Sequence, residues 1–282
     1  MPAPVAEAVL DILVGLGFAT READADGDVF RASAGVRTLL AGSVVSPSLA
    51  AALRSPLLQA EDLRRRASEG TVDPDGWRFT DRGVIEAQGD LTAAMAEKAV
   101  PKLRFLPGLV PALRKPGALL LDVGAGAAGV SLTLCRRFPA LRAVALEPAP
   151  ASAAIARAKV AEAGLADRIE VRAERIEHLS GGGRFDLVFL PQMFLPDPVF
   201  DAAARTVLAA LKPGGWLLAA VLSRQGADLR SSVARLRTAL WGGNARADAA
   251  VARVLRAARF HPVIRSPGDV AVQVVCARRP PA

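Results

Sequence analysis

Tyrosine is absent from this 282-residue chain, and histidine and cysteine occur only twice each. Without tyrosine, and with only His178 and His261, few side chains are suited to acid–base work near neutral pH. Cys135 and Cys276 show no metal-ligand spacing and are too few for a disulfide framework, so no metal is expected and a reducing, cytoplasmic setting is. Long apolar runs are missing too: none approaches the roughly 20 residues a membrane span needs. The opening segment, MPAPVAEAVLDIL, has no basic stretch ahead of an apolar one, so no signal peptide is expected.

Positive charge is present in excess, at net +8, and arginine supplies most of it. Such a balance raises the question of nucleic acid. The cations are dispersed, with Arg64-Arg65-Arg66 the only triple. A basic face on residues 1–70 would be interrupted by Glu7, Asp11, Glu22, Asp24, Asp26 and Asp28. The charge therefore reads as solvated helix faces, with neither nucleic acid nor membrane as partner. Hydrophobic residues make up 51% of the chain, enough for one large domain and a smaller one.

The most specific segment is LLLDVGAGAAGVS, Leu119 to Ser131. An apolar run ends in an acid, a glycine-rich turn follows, and an amphipathic segment begins. Strand, tight turn and helix in this order hold the ribose end of a nucleotide-like ligand. Gly124, Gly126 and Gly129 also spell G-x-G-x-x-G, the dinucleotide string. Asp122, two places before the first glycine, argues against a pyrophosphate, which it would repel. A carboxylate there suits a ligand with a positive amino group and no phosphate.

From Gly117 onward, strand and helix signals alternate. Strands are predicted at 118–123, 142–147, 168–173, 185–191 and 215–222, with helices near 127–137, 150–163 and 199–211 between them. This rhythm belongs to an open parallel sheet with helices on both faces. A helical stretch over 227–258 follows, and two extended segments joined across Pro267-Gly268-Asp269 close the chain. Ahead of the sheet, residues 5–17 predict a helix ending in glycine, Asp26-Gly27 a hairpin, and 34–41 another helix. Residues 47–70 and 86–106 read as helices, and PGLVPALRKPG as a linker.

D-x-G-x-G after a strand resembles motif I of the class I S-adenosylmethionine-dependent methyltransferases, and LKPGGWLLAAVL (211–222) resembles that family's entry to its fifth strand. The helix–hairpin–helix start is similar to the dimerising winged-helix domain of small-molecule O-methyltransferases. The resemblance implies an α/β, Rossmann-like fold with a mostly parallel seven-stranded sheet, a closing antiparallel hairpin and a mainly helical N-terminal domain. It divides the chain into an N-terminal domain (1–84), a helical cap and linker (85–116) and a cofactor domain (117–282). Residues 80–106 are expected over the mouth of the last.

The same resemblance assigns residues. Asp122, Gly124 and Gly126 would cradle the cofactor, and Glu147 with Pro148, at the end of the second strand, would hold its ribose hydroxyls. After the third strand, Arg175 stands where the family often has an Asp for the adenine amine. Arginine cannot accept a hydrogen bond, which leaves Glu174, a backbone carbonyl or a shifted register for that role, and Ile176 to pack on the ring. Leu190, Pro191 and Gln192 would line the cofactor pocket beside Gln88. Met95, Met193, Phe194, Arg224 and Trp241 would line the acceptor pocket. Leu190-Pro191-Gln192-Met193 stands where nucleic-acid amino-methyltransferases carry Asn/Asp-Pro-Pro-aromatic, which argues against base amines. His178 and His261 read as structural.

The expected activity is transfer of a methyl group from S-adenosylmethionine, leaving S-adenosylhomocysteine, to a small aromatic or otherwise apolar acceptor, by a homodimer. An oxygen acceptor needing deprotonation would have to recruit an acid such as Glu86, Asp90, Glu97 or Asp197. Two rival readings are a nucleic-acid-binding or RNA-modifying protein, and a methyltransferase fold that no longer methylates.

Overall fold

The structure, a computed structural model, describes residues 10–11, 13–24, 27–34, 36–37, 47–71, 77, 79–222, 229–244, 246–266 and 272–281. The chain divides into two compact units, Met1–Ala50 and Ala51–Ala282.

Within the first unit, the described part of residues 10–15 is helical. An antiparallel hairpin follows, β1 (Ala19–Asp24) with β2 (Gly27–Ala32), in a register that pairs Asp24 with Gly27. Gly27 takes a φ of 125°, which L side chains rarely adopt. Residues 34, 36 and 37 are helical, and the rest of the helix expected to 41 falls outside the described residues.

The second unit is built on a seven-stranded sheet. Its strands are β3 (Leu119–Val123), β4 (Arg142–Leu146), β5 (Ile169–Arg172), β6 (Phe185–Pro191), β7 (Leu211–Val221), β8 (Val263–Arg265) and β9 (Gln273–Arg278), in the order β5-β4-β3-β6-β7-β9-β8. β5 through β7 pair in parallel, and β9 is antiparallel to both neighbours. This is the expected class I architecture with its closing hairpin.

Central strands of a parallel sheet are covered on both faces, so they read as unbroken apolar runs. Leu120, Leu121, Leu187 and Val188 are fully buried. One face packs under α3 (Leu109–Leu113), α4 (Gly129–Arg137) and α5 (Pro150–Glu162), around Leu113, Leu134, Ala156 and Trp216. The other packs under α6 (Asp197–Ala210) and α8 (Asp248–Ala257), around Phe200, Val207, Val251 and Phe260. Two further helices, α1 (Pro47–Ser68) and α2 (Arg82–Ala99), precede the sheet.

The helical stretch predicted over 227–258 is two helices. α7 (Leu229–Leu240) and α8 are separated by a turn at Gly242-Gly243. A Cβ on Gly243 would run into the Met193 carbonyl, 2.6 Å from its carbon. Only glycine lets the chain pass so close to the turn that follows β6, and the helix stops just before it.

Among the described residues, no helix is long and apolar enough to cross a membrane.

Candidate functional site

Strand order reverses between β3 and β6, so the crevice beyond their C-terminal ends is where an open α/β sheet receives a ligand. A cavity of about 640 Å³ opens there. It has two chemically distinct ends.

The first end is polar. Asp122 pairs with Ala145 on β4 and Phe189 on β6, which puts it at the reversal itself. Its Oδ2 accepts hydrogen bonds from the Ser131 amide (3.1 Å) and hydroxyl (2.7 Å), pinning the start of α4. Among the described residues no donor reaches its Oδ1, and the residue lines the cavity. Burial pushes the Asp122 carboxyl up to about 6, the Ser131 hydrogen bonds pull the other way, and the Glu147 charge adds to the rise.

Glu147 follows β4 and is also buried. Its Oε2 accepts from the Gly126 amide at 2.7 Å and its Oε1 from the Ala149 amide at 2.9 Å. Burial raises its pKa and these two amides restrain the rise. The glycine turn is thus held against the end of β4 by a carboxylate whose remaining lone pairs face the cavity it lines.

The glycines divide their work. Gly124 and Gly126 take φ of 62° and 56°, and Ala128 adopts the same left-handed region at 61°. A Cβ on Gly126 would meet nothing within 4 Å, so there is open space against its backbone. Gly129 is different: a Cβ there would collide with the Gly89 carbonyl oxygen and lie 2.9 Å from the Ala93 nitrogen. Gly89 answers in kind, since its own Cβ would lie 2.6 Å from the Ala127 Cβ. The third glycine of the string therefore serves helix packing of α4 on α2.

The second end is aromatic. Phe194 stacks on Trp241 with ring centroids 4.5 Å apart, and Trp77 meets Phe194 edge-on at 5.6 Å. Met193, Ala220, Leu222 and Trp241 belong to one small apolar cluster here. The Trp241 indole N–H donates to Gln59 Oε1 at 3.2 Å. Gln59 in turn donates to Gln88 Oε1 at 2.9 Å, which also takes the Ser55 hydroxyl at 2.7 Å. A buried polar chain on α1 and α2 so fixes the indole from behind.

Of the residues singled out in the sequence, Gln88, Met95, Asp122, Gly124, Gly126, Glu147, Pro148, Glu174, Arg175, Ile176, Pro191, Met193, Phe194 and Trp241 all line this cavity. Leu190 does not. Alternation along β6 sends it into the core opposite, while Phe189 and Pro191 face the cavity. Gln192 is fully buried off the cavity wall, and its Nε2 donates to the Asn244 carbonyl at 2.9 Å. It pins the turn that carries Trp241. Arg224 lies outside the described residues.

None of the four acids considered as a base lines the cavity. Asp197 is held by Arg246, Asp90 by Lys159 at 3.1 Å, and Glu86 by Arg82 at 2.8 Å. Among the described lining residues there is no histidine, cysteine or lysine. Arg175 faces Glu177, 3.7 Å away, and is largely exposed, whereas Ile176 is buried in the wall. Residues the sequence did not single out include Thr92, Phe189 and Arg237. For Phe189 the strand alternation was available as a signal; for Arg237, one arginine among many, there was none.

Residues 120–215 match the family described as "Methyltransferase domain". This is a class I methyltransferase domain. The "Ubiquinone biosynthesis O-methyltransferase" of Methylobacterium sp. (strain 4-46) is 37% identical over 111 residues, 38% of this chain and 42% of that protein. The chain spans about half or less of the length of the curated relatives it matches. Among solved structures, the apo S-adenosylmethionine-dependent methyltransferase SibL superposes with a TM-score of 0.63 at 23% identity, covering 99% of this chain and 86% of that one. Human N-acetylserotonin methyltransferase in complex with SAM gives 0.62 at 15% identity, covering 99% and 84%. Both likenesses concern the fold. The class I methyltransferase family is S-adenosylmethionine-dependent, and the polar end of the cavity fits that cofactor: open space over Gly126, a free Asp122 oxygen and the Glu147 carboxylate.

Proposed function

We propose that the protein is an S-adenosylmethionine-dependent methyltransferase acting on a small, flat, apolar acceptor. The observation that carries this reading is the single cavity that joins a carboxylate-bearing glycine turn to a wall of aromatic rings. Its volume falls within the range of small-molecule sites.

When bound, the cofactor supplies a sulfonium methyl open to in-line displacement. Asp122 Oδ1 would receive its amino group, Glu147 its ribose hydroxyls, and Ile176 one face of its adenine. Glu174, on the cavity wall beside Arg175, supplies the acceptor oxygen that an adenine amine requires. Leu190 and Gln192 support this site from outside the wall. Phe194, Trp241, Met193 and Met95 would hold the acceptor dry and aligned, the arrangement in which proximity lowers the barrier. Since no histidine or lysine lines the described wall, the acceptor must arrive already nucleophilic or acidic enough to ionise there. Residues 1–84 are proposed to pair two copies, by their resemblance to a dimerising domain, and light scattering reads that out.

Calorimetric titration with S-adenosylmethionine and S-adenosylhomocysteine tests the cofactor, followed by mass-spectrometric screening of small phenols and heterocycles for methyl gain. Micromolar binding with transfer to such an acceptor supports the reading. No binding of either nucleoside overturns it.

A further inference from the structure

Arg237 lies on α7 one turn before Trp241, at the aromatic end of the cavity, and lines it. Its guanidinium carbon lies 4.7 Å from the centre of the Trp241 ring. Among the described residues no carboxylate pairs with it, and none of its five N–H donors meets an acceptor. Its Nε is fully enclosed and unsatisfied. Two other half-buried or buried arginines of this unit have carboxylates: Arg246 is held by both Asp197 and Asp201, and Arg66 by Asp62 at 2.7 Å. A guanidinium does not shed its proton in a protein, so enclosure against an aromatic ring with no anion beside it is costly. The described acids on the cavity wall, Asp122, Glu147, Glu174 and Glu177, follow the strands of the polar end, and none of them pairs with it.

We propose that Arg237 is a specificity residue that binds a carboxylate on an aromatic acceptor, the ring of the acceptor lying against Phe194 and Trp241. The proposal rests on the methyltransferase reading for the word acceptor. Geometry favours the acceptor over the cofactor's own carboxylate as the source of that anion. Trp241 packs with Ala220 and Leu222 at the end of β7, whereas Asp122 sits on β3, two strands away. At the spacing of neighbouring strands this is about 10 Å. An anion there would offset the charge of the enclosed guanidinium. Burial draws the Arg237 pKa below its ordinary value, as expected of an enclosed cation awaiting an anion.

The test uses the full chain saturated with S-adenosylhomocysteine, titrated calorimetrically with benzoate and naphthoate and with their neutral carboxamides. Wild type is expected to prefer the carboxylates by roughly tenfold or more. Arg237→Met should abolish the preference and Arg237→Lys should retain part of it. S-adenosylhomocysteine affinity should be the same in all three proteins. Thermal melts check for a structural role: Arg237→Met should melt no lower than wild type, since it removes an unpaired enclosed charge. Equal binding of carboxylate and carboxamide by wild type, no saturable carboxylate binding at millimolar concentration, or an intact preference in Arg237→Met overturns the proposal. So does a loss of S-adenosylhomocysteine affinity in Arg237→Met, which would assign the residue to the cofactor. If S-adenosylhomocysteine does not bind wild type, the methyltransferase reading fails, and the same contrast on the free protein still decides the carboxylate site.

Discussion

The Gly126 amide donates to Glu147 Oε2 at 2.7 Å, so the turn proposed to receive the cofactor is tied to the carboxylate proposed to grip it. The two are set before any ligand arrives, and cofactor binding need not order them. Glu147→Ala removes this tie, the Ala149 tie and the proposed acceptor of the ribose hydroxyls together. With charge-assisted bonds contributing about 1.5–3 kcal/mol each, S-adenosylhomocysteine affinity should fall at least about tenfold by calorimetry. An unchanged affinity would remove Glu147 from the site.

Asp122 predicts a pH dependence with a definite sign. Its carboxyl is raised from 3.8 to about 6, so its contribution to stability is fully present below 3.8 and lost as pH rises through about 6. Above that the ionised group costs the free protein about 3 kcal/mol. Asp122→Asn should therefore raise the melting temperature at about pH 8 and much less at about pH 4. A cationic amino group needs the ionised form, so wild-type affinity for S-adenosylhomocysteine should weaken as pH drops through about 6, and the variant should be weak and pH-flat. A flat wild-type profile would contradict this assignment.

Two neighbouring glycines should fail in different ways. At Gly126 there is room for a methyl group but a φ of 56°, which costs a non-glycine residue roughly 1–2 kcal/mol. Gly126→Ala should fold and lose mainly cofactor affinity. Gly129→Ala forces a methyl group into the Gly89 backbone, and overpacking of that kind costs about 1–3 kcal/mol or more. Its signature is a lowered melting temperature in the free protein. Equal melting temperatures for the two variants would count against this division.

Trp241→Phe keeps an aromatic ring and removes one N–H. Gln59 Oε1 would then be buried without that donor, a loss of about 1–3 kcal/mol in stability. Denaturant melts should register it, while S-adenosylhomocysteine affinity stays at the wild-type value. A drop in that affinity would place the indole at the cofactor.

Much of the frame was legible in the sequence. Apolar runs such as Leu119–Val123 and Phe185–Pro191, punctuated by glycine, proline and acids, mark strands buried on both faces, and these form where expected. The acids at the strand ends were legible for the same reason: Asp122 and Glu147 interrupt apolar runs where burial of a charge needs a cause. Which neighbour of a strand end faces the ligand was less so. Leu190 and Gln192 flank Pro191 in sequence, yet the pleat and the turn after it send both away from the cavity. The break in the 227–258 helix follows from an approach of Gly243 to Met193 that is fifty residues distant in sequence, and no local propensity reports it. Arg237 differs from its fellow arginines only in what surrounds it.

The backbone contact between Gly89 and Gly129 has a mechanical meaning. A seam with no side chain between its two backbones has no rotamer that can yield, so it behaves as a fixed bearing. Gln88 and Thr92, which line the cavity from α2, are therefore held within one helical turn of a main-chain contact that cannot adjust by side-chain rotation.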